Sequence, residues 1–384
     1  MNLREELTGV AESPMVQIAT IAEAMPGSLK LCYGESDLPT PPFICDALDR
    51  ATRSGHTFYT HTAGSRDLRE AIAAKVFALH GVRYDVPEII ATVGGTMAIY
   101  AAIRAFVGRG DNAVIVSPAY AIYTNAVTMA GGESRRASLA LSGNRFVLDL
   151  DRARAAVDAN TRMLIVNSPS NPTGWVISEA EQRALIEIAE QHDLAILADE
   201  VYERLVYGSE IAPSFARLIT NRDRLVVVNS FSKTYNMTGW RLGWAQSSER
   251  TIKTMYKAVE FMTSNPAAMV QQAGITALQD GEPAIAELRA HYAARRGQVK
   301  AALEMPGVTL PDPQGSFFAF PKCSFASDSA AFTGALVRET GVALAPGVGF
   351  GPDGEGHVRL CFASSEATLR EALSRLQRFV ATAG

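Results

Sequence analysis

Between residues 89 and 245 the chain returns six times to a short apolar run: Ile89–Val93, Ala113–Val116, Met163–Val166, Leu194–Ala198, Leu225–Val228 and Leu242–Ala245. Amphipathic stretches lie between these runs. A strand that is apolar at every position must be covered on both faces, and intervening helices supply that cover. The pattern therefore predicts an α/β fold with a doubly wound, mainly parallel sheet. The unit from Met163 to Ala198 is the clearest: a strand, a loop at Asn167–Gly174, a helix opening with the capping box Ser178-x-x-Glu181, and a second strand. That order is a βαβ crossover. Ligands bind beyond the carboxyl ends of the strands in such sheets, so the residues that follow each run are the first candidates for function.

A chain of 384 residues is long for one core. From about residue 276 the pattern changes to a long helix through Glu287–Leu303, a Gly/Pro turn at Pro311–Gly315, then alternating strands and helices ending in Glu366–Val380. This predicts a smaller α+β domain after a large domain spanning 41–275. Lys+Arg of 36 against Asp+Glu of 40 gives a net charge of −4 with no block of like charge, which argues against nucleic acid or anionic lipid and for a small-molecule partner. Cys32, Cys45, Cys323 and Cys361 form no CxxC pair and no His-Glu-x-x-His occurs, so neither a metal nor a disulfide scaffold is expected. The mixed-charge start, Met1 to Glu6, does not read as a secretory signal, and no run approaches the ~20 apolar residues of a membrane span. Cytoplasm is the default location.

Ser230 to Trp244 reads SFSKTYNMTGWRLGW, in which Lys233 lies among hydroxyl side chains and Arg241 follows eight residues later. A lysine amine beside a phosphate-sized pocket at a strand's carboxyl end suggests Schiff-base chemistry. Asp199 ends the run Leu194–Ala198. A carboxylate there has little water to solvate it and needs a cationic or hydrogen-bonding partner, and a helix N-cap is the alternative. Gly94-Gly95-Thr96 separates the run Ile89–Val93 from a helix covering about Met97–Val107. Free N–H groups and the positive end of the helix dipole suit a phosphate at that junction; a plain strand-to-helix turn is the other reading.

The segment Ser230–Trp244 resembles the pyridoxal-phosphate lysine motif of the class I/II aminotransferases, and Asn167-Ser168-Pro169-Ser170-Asn171-Pro172-Thr173-Gly174 matches the family's N-x-P-x-N-P-T-G signature. The resemblance runs from Gly34 to Arg359 and implies an aspartate aminotransferase-like chain of fold type I. It implies that Lys233 carries pyridoxal 5′-phosphate and then serves as the catalytic base. Gly95, Thr96, Ser230, Ser232 and Arg241 would hold the phosphate, Asp199 the ring nitrogen, and Tyr202 and Asn171 the phenolic oxygen. Tyr120 would stack on the ring. Tyr59, within Phe58-Tyr59-Thr60-His61-Thr62-Ala63-Gly64, would reach the phosphate of the neighbouring subunit in a homodimer.

By the same resemblance Arg359, in Val358-Arg359-Leu360-Cys361-Phe362-Ala363, binds the substrate α-carboxylate, whereas the strand-like alternation alone reads as a solvated face. Gly34 occupies the G-E-P-D position, with Ser36 where the family usually has proline, and contributes to substrate binding with Asn171. Residues 1–40 would join 276–384 as the small domain. The implied reaction moves an amino group from an L-amino acid to a 2-oxo acid in a ping-pong cycle. A C–S β-lyase on the same fold is the alternative. A non-enzymatic ligand sensor is more remote, because the first 30 residues are too short and too weakly basic for a DNA-binding segment. Tyr33, Tyr123, Trp240 and residues near Pro14–Ile18 are candidates for the side-chain pocket, where the sequence places no second arginine.

Overall fold

The computed structural model describes residues 3, 5–10 and 12–383. Its main sheet has eight strands. Numbered within that sheet they are β1 (Ile89–Thr92), β2 (Asn112–Ser117), β3 (Glu133–Ser142), β4 (Arg145–Leu148), β5 (Thr161–Asn167), β6 (Ala195–Asp199), β7 (Leu225–Ser230) and β8 (Gly243–Gln246). Their lateral order is β1-β8-β7-β6-β5-β2-β3-β4. Only β8 and β4 run against the rest. Each of the six apolar runs becomes a strand with ends within two residues of those expected. All residues of β1, β2, β6 and β7 are buried, as cover on both faces demands.

The hairpin β3–β4 was not among the expected strands. It lies at the sheet's edge, where only Ala137, Leu139, Phe146 and Leu148 are buried, so its sequence carries no continuous apolar run. Its two-residue Gly143-Asn144 connection is the local signal that was present.

The helix after β1 spans Gly94–Phe106 and so begins three residues before the expected Met97. The glycines belong to its first turn rather than to a separate connection. At the crossover helix Glu179–Gln191 the capping box forms as expected: Ser178 Oγ accepts from Glu181 N at 3.3 Å and Glu181 Oε2 accepts from Ser178 N at 2.7 Å. Asp199 caps no helix. The chain after it makes a turn, in which Asp199 Oδ1 accepts from Val201 N at 3.2 Å.

Towards the C-terminus a long helix, Glu282–Ala302, precedes the three-stranded antiparallel sheet of Phe318–Ala319, Val358–Cys361 and Ala345–Pro346. The N-terminal strand Leu29–Lys30 pairs in parallel with Val342–Ala343. Leu31 joins Phe317, Leu360, Phe362 and Leu369 in one apolar cluster. All four cysteines are free thiols, and no helix among the described residues is long and apolar enough to cross a membrane.

Candidate active site

Strand register assembles the site. Asn167 lies opposite Asp199, Asp199 opposite Val228, and Ser230 opposite Gly243, so the carboxyl ends of β5, β6 and β7 meet the amino end of β8 at one edge. Close backbone contact fixes the helix Gly94–Phe106 against that edge. A Cβ at Gly243 would stand 2.6 Å from Gly95 N and 3.0 Å from Asn229 O, which glycine alone avoids. At Gly94, where φ is +75°, a Cβ would run into the Arg241 guanidinium.

A cavity of about 470 Å³ opens there, within the range of small-molecule sites. Of the catalytic, cofactor-binding and carboxylate-binding residues expected from the sequence, all but Tyr59 line it. At one end lie Gly95 and Thr96, in the first turn of a helix that has no side-chain cap. Ser230 Oγ sits 2.9 Å from Ser232 Oγ beside them, and Arg241, in a left-handed backbone conformation, donates from Nη1 to Thr238 O at 2.8 Å. Amides, hydroxyls and a guanidinium in that arrangement suit a dianionic group.

Deeper in, the buried Asp199 carboxylate accepts from the Tyr123 hydroxyl at 2.5 Å. Burial pushes its pKa up to about 6, while the bonds from Tyr123 and Val201 N pull it down. A buried carboxylate held this way is stabilised by a cation facing it. Tyr202 is buried with its ring edge-on to Phe317 and Phe318, and burial raises its phenol well above the usual range. The Tyr120 ring is partly open at the cavity wall.

Lys233 Nζ donates to Gly34 O at 2.6 Å. Burial lowers its pKa to about 8, which brings the neutral, nucleophilic amine within reach near physiological pH. Arg359 is not on a solvated strand face: it is 1 % exposed, with the Phe318 and Phe350 rings 4.5 and 4.9 Å from its guanidinium carbon. Its Nη1 donates to Asn171 Oδ1 at 2.9 Å and its Nη2 to Cys32 O, while Nε is buried without a partner. No carboxylate pairs with it among the described residues. A buried guanidinium in that state is suited to close on a carboxylate ligand.

Tyr59 stands outside the cavity, 90 % exposed. Its neighbour Phe58 and Phe261 of the helix Glu249–Thr263 are nearly as open. The His61 ring packs on Tyr256 of that helix at 5.7 Å, and Gln271 Nε2 of the next helix, Ala268–Asp280, donates to Thr60 Oγ1 at 2.8 Å, so the loop is tied to both.

The family described as aminotransferase class I and II matches residues 26–376. The chain belongs to that family. It is 34% identical over 393 residues to an aspartate aminotransferase of Bacillus subtilis, across 99% of each chain. In three dimensions it is similar to N-succinyldiaminopimelate aminotransferase from Mycobacterium tuberculosis, with TM-score 0.93, 33% identity and coverage of 98% of this chain and 100% of that one. The Thermus thermophilus aspartate aminotransferase with maleate gives 0.92 and 33%, covering 98% and 99%. The protein is thus a transaminase with the aspartate aminotransferase-like fold.

Of the aromatic residues of the aminotransferase expected in the side-chain pocket, Tyr33 and Tyr123 line the cavity and Trp240 does not. Tyr123 is turned onto Asp199, and Trp240 donates from Nε1 to Thr40 Oγ1 at 2.9 Å, outside the cavity. A further part of the lining comes from the helix Pro14–Glu23, through Met15, Val16, Ala19, Thr20 and Glu23, together with Tyr33. Met15 and Val16 lie in the expected stretch; Ala19, Thr20 and Glu23 continue the same helical face and were legible only as spacing. Tyr33 donates its hydroxyl to Glu23 Oε1 at 2.5 Å, and this bond pushes the phenol up to about 12. Cys32 and Ile99 also reach the cavity, with no signal in their local sequence.

Proposed function

We propose that this aminotransferase works with pyridoxal 5′-phosphate on Lys233 and moves the amino group of an L-amino acid to a 2-oxo acid in a ping-pong cycle. The observation that carries this reading is one cavity in which a buried lysine amine lies among an anion cup, a buried carboxylate and a buried guanidinium with an unpartnered nitrogen. When bound, the cofactor supplies an aldehyde carbon for the substrate nitrogen and a ring that withdraws electrons from the substrate Cα.

The chain's residues divide the remaining work. Gly95 and Thr96 amides, the Ser230 and Ser232 hydroxyls and Arg241 would hold the phosphate, and Asp199, set by Tyr123, would face the ring nitrogen and favour its protonated form. Asn171 and Tyr202 would bind the phenolic oxygen and Tyr120 would cover the ring face. Arg359, with Asn171 and the Gly34 backbone, orients the substrate carboxylate so that the Cα proton faces Lys233. Lys233 Nζ, as a neutral amine, would take that proton from Cα and, as the ammonium, would return it on the same face to the carbon that the cofactor contributes. The transaminase names of the relatives favour this over C–S β-elimination.

We also propose a homodimer in which Tyr59 reaches the partner's phosphate cup. Its exposure, together with that of Phe58 and Phe261, supports this. We divide the chain into a large unit, 41–275, and a small one, 1–40 with 276–384, on the pairing of Leu29–Lys30 with Val342–Ala343 and their shared apolar cluster. Four free thiols fit the cytoplasm.

Borohydride reduction of the yellow protein followed by peptide mapping tests the central assignment. Label at Lys233, loss of turnover in Lys233→Ala and one 2-oxo acid per cofactor converted to its amine form are the expected results. Label elsewhere refutes the assignment, and pyruvate with ammonia refutes transamination.

A further inference from the structure

The cavity lining carries five charged side chains, Glu23, Asp199, Lys233, Arg241 and Arg359, and the aminotransferase reading above assigns a role to each of the last four. The remaining wall is the helix face Met15, Val16, Ala19, Thr20 and Glu23 with Tyr33 beside it, and Glu23 is its one charged group among the described residues. With the α-carboxylate on Arg359 and the α-nitrogen at Lys233, a substrate side chain is left to face this wall. The Glu23 carboxylate is held in place by the Tyr33 hydroxyl at 2.5 Å, one oxygen being engaged. Glu23 has no cationic partner among the described residues.

We propose that Glu23 is a specificity-determining residue that disfavours substrates with an anionic side chain and accepts hydrogen bonds from neutral or cationic ones. This deepens the aminotransferase reading above and rests on it. Two carboxylates about 4–6 Å apart repel by roughly 0.7–1 kcal/mol where water screens them well, and by more in a lower dielectric. Because Glu23 is an exposed side chain, the screened end of that range applies and salt weakens the effect. The corresponding discrimination is about three- to fivefold, by the equivalence of 1.4 kcal/mol and a factor of ten.

The test compares equilibrium binding of maleate, a dicarboxylate, with that of 4-methylpentanoate, an apolar monocarboxylate, to holoenzyme, read from the cofactor spectrum. The same variant is assayed for half-reactions with aspartate, glutamine and lysine. In Glu23→Gln the ratio of maleate to 4-methylpentanoate affinity rises about three- to fivefold. The aspartate half-reaction gains on glutamine, lysine loses on glutamine, and the change in the ratio shrinks at high salt. An unchanged ratio, or a wild-type preference for maleate that Glu23→Gln leaves intact, overturns the proposal and points to a cation brought by a partner subunit. The binding ratio is read without turnover, so a protein that discriminates between the two carboxylates yet transaminates nothing refutes the catalytic reading and leaves the pocket assignment standing.

Discussion

Tyr123→Phe removes one hydroxyl and tests how Asp199 is kept ionised. The Tyr123 hydroxyl lies 2.5 Å from Asp199 Oδ2, both residues are buried, and Val201 N on the other oxygen is the second local donor. A hydrogen bond to a charged acceptor contributes about 1.5–3 kcal/mol, and one pKa unit corresponds to about 1.4 kcal/mol. Water cannot replace the lost donor without room to enter. The Asp199 pKa, already pushed to about 6 by burial, therefore rises in the variant by about one to two units. The sign follows from which state binds the proton more tightly. A folded pKa raised above the unfolded 3.8 means that the apo fold is most stable below that value and loses stability as pH rises through about 6. In the variant this decline extends into the neutral range. Affinity for a ring cation has the opposite dependence, because it needs the carboxylate and is lost as pH falls through the same pKa. Titration of apo protein with pyridoxamine 5′-phosphate, which makes no bond to Lys233, gives the affinity at each pH. The ligand's own ionisations are common to both proteins and cancel in the comparison. The acidic bend moves up by about one to two units in Tyr123→Phe, and apo melting temperature falls more steeply towards neutrality. An acidic bend that stays in place or moves down refutes the argument.

Arg359→Lys keeps the charge but loses the fork, so the Michaelis constant for the amino acid rises about 10- to 100-fold with a smaller change in kcat. A fall confined to kcat refutes a carboxylate-binding role. Tyr59→Phe weakens cofactor binding, and mixing it with Lys233→Ala recreates one complete site per hybrid dimer, since one chain brings Lys233 and the other Tyr59. Titration of the exchanged mixture shows a tight class of sites absent from either variant; failure to recover it, or a monomer in sedimentation, refutes the shared site.

What could be read in the sequence depends on how much of a residue's position is decided by its own strand. Asp199, Asn167 and Ser230 end strands that are buried on both faces, so their apolar runs announced them and placed them at one edge. Lys233 follows three residues after Ser230 on the short helix Phe231–Thr234 and was fixed with it. Arg359 is a different case. Alternation along Val358–Cys361 describes a strand but says nothing about what covers it, and the Phe318 and Phe350 rings that bury the guanidinium come from distant segments. The Tyr123–Asp199 bond spans 76 residues and depends on how the helix Ile122–Ala130 is turned over the sheet, which no local pattern encodes. The β3–β4 hairpin failed for the converse reason: half-exposed strands lack the uniform apolar composition that marked the others. The same division runs through the site's function. Groups set by strand ends carry the chemistry, whereas the wall facing the substrate side chain is one face of the helix Pro14–Glu23, joined to the fold by packing and by Tyr33. Changes along that helix can alter substrate choice without moving a strand end, so reaction type is legible from a single chain more readily than specificity.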